Sequence, residues 1–343
     1  MDKNLRLLYI GSLASWSNSS RRYKALAQLS DAQALDTDSY LLAKYISGFQ
    51  HHLNKGPGIY LLNRRIRKIV KEQPFNIIWV DNKAYLTAKT LVCIKEQHPV
   101  AKIVNLITDD PFGKFSRSWS LFKKTISHYD TFFVQRQVNK EEFLKQGAKK
   151  VELCYRSFDP DFERPVILSE KERKLHGAAV GFVGTYENVR ASFIAFLIEN
   201  GIPVSVTGND WPGGEYWEMI KPFYKGPSVY NDDYIKAING LDIALHFLRH
   251  ANRDEQDSRT FEIPACKRFM LAERSEVHAK LFKENEEAVF FSSKEELLKK
   301  VKQYLADPTG REQIALNGYN RCYNSGYTHL ERMKTVLKLV MEE

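Results

Sequence analysis

Short apolar runs rich in β-branched and aromatic residues alternate along the chain with longer stretches whose apolar positions recur at helical spacing. In the first half, strands are expected at residues 6–10, 76–80, 102–107, 131–134 and 151–155, with helices filling the gaps. The clearest helix covers 59–71. Leu61, Leu62, Ile66, Ile69 and Val70 are expected on one face and Arg64, Arg65, Arg67, Lys68 and Lys71 elsewhere, the pattern of an amphipathic basic helix. After the run from Arg156 to Pro165 the chain turns polar and charged as far as Gly177, which predicts an interdomain linker. A second cycle of strands follows at 178–183, 203–207, 241–246, 268–272 and 288–291. It is closed by a helix over 294–305 that packs through Leu297, Leu298, Val301, Tyr304 and Leu305. Strands alternating with helices in this way predict an α/β protein built on parallel sheets.

Length adds that one hydrophobic core is not enough. A chain of 343 residues exceeds the size at which a single core keeps growing, so two domains are expected. The start of the chain leads from Met1 almost directly into a strand, with no secretory apolar region and no apolar run long enough to span a bilayer, so a cytoplasmic protein is expected. Cys93, Cys154, Cys266 and Cys322 are scattered and predict reduced, buried thiols. His51 with His52, and His246 with His250, lack nearby acids or thiols at a zinc spacing, so no metal site is expected.

Charge is uneven. Residues 1–165 carry 27 Lys+Arg against 16 Asp+Glu, a surplus of +11; residues 166–343 carry 24 against 26, or −2, which together make the net +9. The first half is therefore expected to meet an anionic partner, either an acidic acceptor or a membrane surface to which the protein is peripheral. Nucleic-acid binding is disfavoured, because the basic residues are dispersed and no recognised module is present.

Several segments carry candidate chemistry. Gly181-Phe182-Val183-Gly184-Thr185 leaves a strand, turns on glycine and enters a helix containing Arg190, the place where an α/β unit presents free amides to phosphate. The spacing is not that of a dinucleotide fingerprint. Ser258, Arg259 and Thr260 open a second helix with amides, hydroxyls and a guanidinium that can meet a diphosphate, and Glu262 follows. Asp109 and Asp110 end an apolar strand, where ligands of α/β proteins gather, and are candidates for the acceptor-side group. They do not form an Asp-x-Asp metal motif. The loop from Gly11 to Tyr23 is small and polar, suited to holding acceptor or phosphate and equally to being an ordinary connection.

The run Ser258-Arg259-Thr260-Phe261-Glu262-Ile263-Pro264-Ala265-Cys266 resembles the donor-site motif of the CgeB-like (spore maturation protein type) glycosyltransferases, which are related to the group 1 glycosyltransferases. The resemblance continues through Glu286-Glu287-Ala288-Val289-Phe290-Phe291, Lys294-Glu295-Glu296-Leu297-Leu298, Tyr304-Leu305-Ala306-Asp307-Pro308 and Asn317-Gly318-Tyr319. Arg156-Ser157-Phe158-Asp159-Pro160-Asp161-Phe162-Glu163-Arg164-Pro165 resembles the family's domain-boundary signature. The likeness covers roughly 100–335 well and the first hundred residues in outline.

The resemblance implies the GT-B architecture, two Rossmann-like domains facing across a cleft. They would be an acceptor-side domain at 1–165, a nucleotide-sugar domain at 178–326, and a C-terminal helix over 327–343 crossing back to the first. It further implies that Glu262 holds the nucleotide ribose, that Gly184 and Thr185 match the glycine turn, and that Arg190 falls on the lysine that meets the diphosphate. Tyr224 and Gly226 would line the base, and Asp254 stands where the group has the first glutamate of its acid pair. Two departures stand out: Asp254 is the shorter acid, and Lys267-Arg268 occupy positions where the family usually has glycine.

The expected activity is transfer of a sugar from a nucleotide-diphosphate sugar to an acceptor hydroxyl, with no cofactor and no obligatory metal. The alternatives are a nucleotide-sugar epimerase of the same architecture and a non-catalytic partner-binding protein.

Overall fold

The computed structural model describes residues 4–41, 54–114 and 116–342; His51 and His52 lie outside them. The chain divides into two compact units. Unit 1 comprises Met1–Arg156, His250–Asp254 and His329–Glu343, and unit 2 comprises Ser157–Arg249 and Glu255–Thr328. The division thus falls at 156/157, and a short stretch after residue 249 counts with unit 1.

Unit 1 is built on six parallel strands: β1 (Arg6–Gly11), β2 (Asp31–Asp36), β3 (Ile77–Asp81), β4 (Lys102–Ile107), β5 (Thr131–Val134) and β6 (Val151–Leu153), in the order β2-β1-β3-β4-β5-β6. Every residue of β3 and β5 is buried, as expected of strands covered on both faces. Strand periodicity sends alternate residues to opposite sides. Leu8, Ile10, Ile78 and Val80 join a core with Leu62, Ile66, Ile69 and Val70 of the helix Pro57–Glu72. Leu7, Tyr9, Ile77 and Trp79 pack on the other side with Met333, Val336, Leu337 and Val340 of the last helix, His329–Met341. Leu61, expected on the buried stripe, is instead 48 % exposed. Sequence patterning missed β2. Its residues Asp-Ala-Gln-Ala-Leu-Asp bury only Leu35 because the strand lies at the sheet edge, where one flank needs no apolar cover.

Unit 2 repeats the plan with β7 (Ala178–Val183), β8 (Ser205–Thr207), β9 (Tyr224–Gly226), β10 (Leu241–His246), β11 (Phe269–Glu273) and β12 (Val289–Phe291), all parallel, in the order β12-β11-β10-β7-β8-β9. Its core gathers Val180, Phe182, Ile243, Leu245, Phe269, Leu271 and the packing face Leu297, Val301 and Tyr304 of the helix Lys294–Ala306. Strand β9, not among the strands expected from the sequence, is again an edge strand. The polar stretch expected as a linker contains the helix Glu170–His176, started by a capping box in which Ser169 and Glu172 exchange hydrogen bonds. A further helix, Pro308–Asn324, opens with proline in its first turn and Asp307 as its cap.

In each sheet the order reverses once, beside β1 in unit 1 and beside β7 in unit 2. The crevice outside the strand C-termini at such a point is where open α/β sheets bind ligands.

Candidate functional site

In unit 2 that point is built by two glycines. The Gly184 N–H donates to Thr207 O at 2.8 Å, and its carbonyl accepts from Trp211 Nε1 at 2.9 Å. Gly208 has φ +156°, and a Cβ there would stand 1.9 Å from the Gly184 oxygen, so only glycine lets the two backbones approach. Thr185 is exposed, and the chain then enters the helix Asn188–Glu199. Arg190, in the first turn, is only 6 % exposed. Its Nη1 donates to Thr185 O at 3.1 Å, while Nε has no hydrogen-bond partner among the described residues and lies 3.7 Å from Glu187 Oε2. Burial pushes its pKa down; Glu187 opposes that shift and Arg259 adds to it.

Arg259 comes from the short helix Arg259–Ala265, and its Nε donates to Val183 O at 2.5 Å, which brings its guanidinium to the end of β7. Asp257 supports it. Asp257 Oδ1 accepts from the Arg259 N–H at 2.7 Å and stands 2.9 Å from Nε2 of the buried His246 at the end of β10. Burial works against a charge on Asp257, but His246, Arg259 and Arg190 outweigh it and hold the carboxyl well below the usual range. Two guanidiniums thus converge on the glycine turn, the arrangement that grips a phosphate oxygen pair.

Glu262 is 4 % exposed, and its Oε2 accepts from the Tyr234 hydroxyl. Burial and the facing carboxylate push the Tyr234 hydroxyl well above its ordinary pKa. Ser258 contributes its carbonyl, which accepts from the N–H groups of Phe261 and Glu262 at 3.0 Å. Thr260 does not fit the expected role. It is fully buried, its Oγ1 accepting from Asp257 N at 3.1 Å and lying 2.9 Å from His278 Nε2, so its side chain serves packing. Tyr224 is likewise committed: its hydroxyl donates to Gly208 O at 2.9 Å and its ring stands edge-on to Trp217. Gly226 ends β9 with φ +135°, and its carbonyl accepts from Gly208 N at 3.0 Å.

In unit 1 the reversal beside β1 opens a cavity of about 490 Å³. Ser12, Trp16 and Asn18 from the loop after β1, and Asn82 and Lys83 from the end of β3, line it with Arg156. The polar first loop therefore does border a cavity. Arg22 lies at its wall, paired with Asp81 through two contacts of 2.7 Å. Burial pushes the Lys83 amine down to about 8, with Asp109 partly offsetting it. Beneath, burial and the guanidiniums of Arg22, Arg21, Arg156 and Arg332 hold His329 well below the ordinary histidine range.

The acidic candidates separate here. Asp109 is half-buried, and its Oδ2 accepts from Asn82 Nδ2 at 2.8 Å, next to the cavity. Asp110 is not a proton acceptor in waiting. It accepts from Arg253 at 2.5 and 2.9 Å, from Asn139 Nδ2 at 2.9 Å and from Phe112 N at 2.9 Å. Burial raises its pKa, but those donors together bring it below the carboxylate norm. Asp254 counts with unit 1, where it pairs with Arg136 and accepts from Asn252 Nδ2 at 2.8 Å.

Sequence reasoning singled out neither Asp257 with His246, nor Tyr234, nor Lys83 with Asn82. A tyrosine on an amphipathic helix or a histidine ending an apolar strand looks like packing until the fold places its partner. The four cysteines are free and buried. Among the described residues, no helix is long and apolar enough to cross a membrane.

Comparison with known proteins places these features. Residues 190–338, which contain Arg190, Asp257, Arg259 and Glu262, match the family described as glycosyl transferase-like. No match was found among curated proteins. Among solved structures, a sucrose-phosphate synthase from Thermosynechococcus elongatus is similar with TM-score 0.68 at 10 % identity, over 98 % of this chain and 99 % of that one. Anabaena HepE in complex with UDP-glucose gives 0.64 at 13 %, over 99 % and 100 %. The trehalose-6-phosphate synthase OtsA gives 0.66 at 9 %, over 99 % of each. At these identities the likeness shows the fold, which is GT-B.

Proposed function

We propose that the protein is a glycosyltransferase of the CgeB-like kind, moving a sugar from a nucleotide-diphosphate donor held by unit 2 to an acceptor hydroxyl held by unit 1. The observation that carries this is the convergence of Arg190 and Arg259 on the Gly184 turn at the strand-order reversal, inside the segment that matches the glycosyl transferase-like family. Support for a nucleotide-sugar donor also comes from structural neighbours of the same fold, among them HepE with UDP-glucose.

In this mechanism the diphosphate lies against the glycine turn and between the two guanidiniums. As the glycosidic bond to the diphosphate breaks, negative charge grows on the departing phosphate oxygen, and cations already in place stabilise it without reorganising. Asp257 and His246 orient Arg259 from behind. Glu262 receives a ribose hydroxyl on the carboxylate oxygen that Tyr234 leaves open, and the Gly226 turn borders the base. With the charge of the leaving group met by arginines, transfer proceeds without an obligatory metal. On the acceptor side the sugar or other acceptor enters the cavity beside Trp16 and Asn82, and Asp109 is the carboxylate placed to orient or deprotonate its hydroxyl.

Calorimetric titration with a panel of nucleoside diphosphates, followed by product analysis with the matching nucleotide sugar in chelator, tests the proposal. Selective binding of one diphosphate and sugar transfer in chelator support it. No binding of any diphosphate by folded protein sinks the donor site, and activity that requires added metal sinks the metal-free transfer. A product that is an altered donor, formed with no acceptor present, makes the protein an epimerase instead.

A further inference from the structure

A second cavity in unit 1, of about 500 Å³, is separate from both sites above. It lies against the helix Pro57–Glu72, with Ile59, Tyr60 and Leu121 among its walls. Four cations border it, Lys55, Arg67, Lys89 and Lys124, and among the described residues that line it there is no acid. Arg67 donates to Thr90 Oγ1 at 2.8 Å, whereas the exposed Lys55, Lys89 and Lys124 make no ion pair among the described residues. A ring of uncompensated cations around partly apolar walls is complementary to one ligand chemistry, an apolar body carrying an anionic head.

The surface next to the cavity extends the pattern. Tyr60 is 61 % exposed and Leu61 48 % exposed on the same helix, beside the exposed Arg64, Arg65 and Lys68. A helix that presents tyrosine and leucine to solvent among arginines and lysines has the composition of an interfacial element. Its apolar side chains enter the headgroup boundary while its cations meet lipid phosphates.

We propose that this face of unit 1 docks on a membrane surface containing anionic phospholipid, with the cavity receiving the phosphate and upper chain of one lipid. This inference stands independently of the transferase proposal.

The test is co-sedimentation of the full chain with phosphatidylcholine vesicles and with the same vesicles containing phosphatidylglycerol. Binding to the second kind is expected, weakening as salt is raised. Each basic group near an anionic surface contributes about fivefold in binding, so Lys89→Gln with Lys124→Gln should weaken it by about 25-fold. The charge-matched pair Lys299→Gln with Lys302→Gln, exposed in unit 2, should leave it nearly unchanged. Tyr60→Ala should weaken vesicle binding through lost apolar insertion, with melting curves confirming that each variant is folded.

Equal losses from the two lysine pairs would show a general attraction of a basic protein and overturn the site. So would absence of binding to the anionic vesicles. Calorimetric binding of glycerol 3-phosphate, abolished by the Lys89/Lys124 pair and unaccompanied by vesicle binding, would assign the cavity to a soluble phosphate ester and overturn the membrane proposal.

Discussion

Replacing Arg190 by methionine should separate stability from ligand binding in a way that a merely structural arginine would not. The side chain is 6 % exposed, its Nε lacks a hydrogen-bond partner among the described residues, and its Nη1 donates to the Thr185 carbonyl at 3.1 Å. Burial and the nearby Arg259 both disfavour its charge, and Glu187, the opposing acid, also lies 3.4 Å from Arg249 Nε. Methionine has similar length, fills the same space against Phe182, and leaves Glu187 with Arg249. Because replacing a poorly compensated buried charge by an apolar group of similar volume is often neutral or stabilising, the free protein should melt at the same temperature or show a gain of about 1 kcal/mol. Ligand binding should move the other way. Hydrogen bonds to a charged group are worth about 1.5–3 kcal/mol, so affinity for the nucleoside diphosphate should fall by about 10- to 150-fold. Titration calorimetry of wild type and Arg190→Met reads the second number, and thermal unfolding without ligand reads the first. Unchanged diphosphate affinity would refute the placement of the diphosphate. A large loss of stability in the free protein would show that Arg190 is a structural cation.

Other outcomes follow from the same geometry. Glu262→Gln retains an acceptor for Tyr234 but loses the charge, so folding should persist while donor affinity falls by about tenfold or more, checked by calorimetry; unchanged affinity removes the ribose contact. Asp109→Asn should abolish most transfer with donor binding intact. Asp110→Asn should instead weaken the Arg253 pairing and lower stability by about 1–3 kcal/mol, read in denaturant unfolding, so that the two neighbouring acids give opposite phenotypes. Burial holds His278 down at about 3 against 6.5 for a free histidine. Between those values the unfolded chain binds a proton that the folded chain refuses, so stability falls with pH, by about 2 kcal/mol from this residue between about pH 7 and pH 5. His278→Asn should remove that part of the slope, and an unaltered slope would show that His278 is accessible to protons in the folded state.

Most of the strand content was legible in the chain itself. Strands β1, β3, β4, β5, β7, β10, β11 and β12 are runs of apolar residues bounded by turns, and burial on both faces leaves such runs no other stable use. The elements that escaped notice are the ones whose burial is partial. Strands β2 and β9 are edges with one neighbour each, and the helix Glu170–His176 buries none of its residues, so none of these needs an apolar pattern. Leu61 shows the converse. Its position on the helical wheel predicts burial, yet the helix Pro57–Glu72 packs through Leu62, Ile66, Ile69 and Val70 and leaves it in solvent.

The candidate site divides along the same line. The glycine turn at Gly184, the basic residue six positions on and the acid at Glu262 could be read directly, because a strand, a glycine and a helix start specify a local geometry that depends on few residues. Which hydroxyls and acids face that geometry could not. Thr260 and Tyr224 have the right chemistry, but their hydroxyls are committed to Asp257, His278 and Gly208. Asp110 and Asp254 are acids neutralised by Arg253 and Arg136, partners 143 and 118 residues away along the chain. Local sequence determines backbone conformation through steric and hydrogen-bonding preferences that act over a few residues. The charge state and availability of a side chain depend on desolvation and on neighbours brought from distant segments, and those are decided only when the sheets assemble.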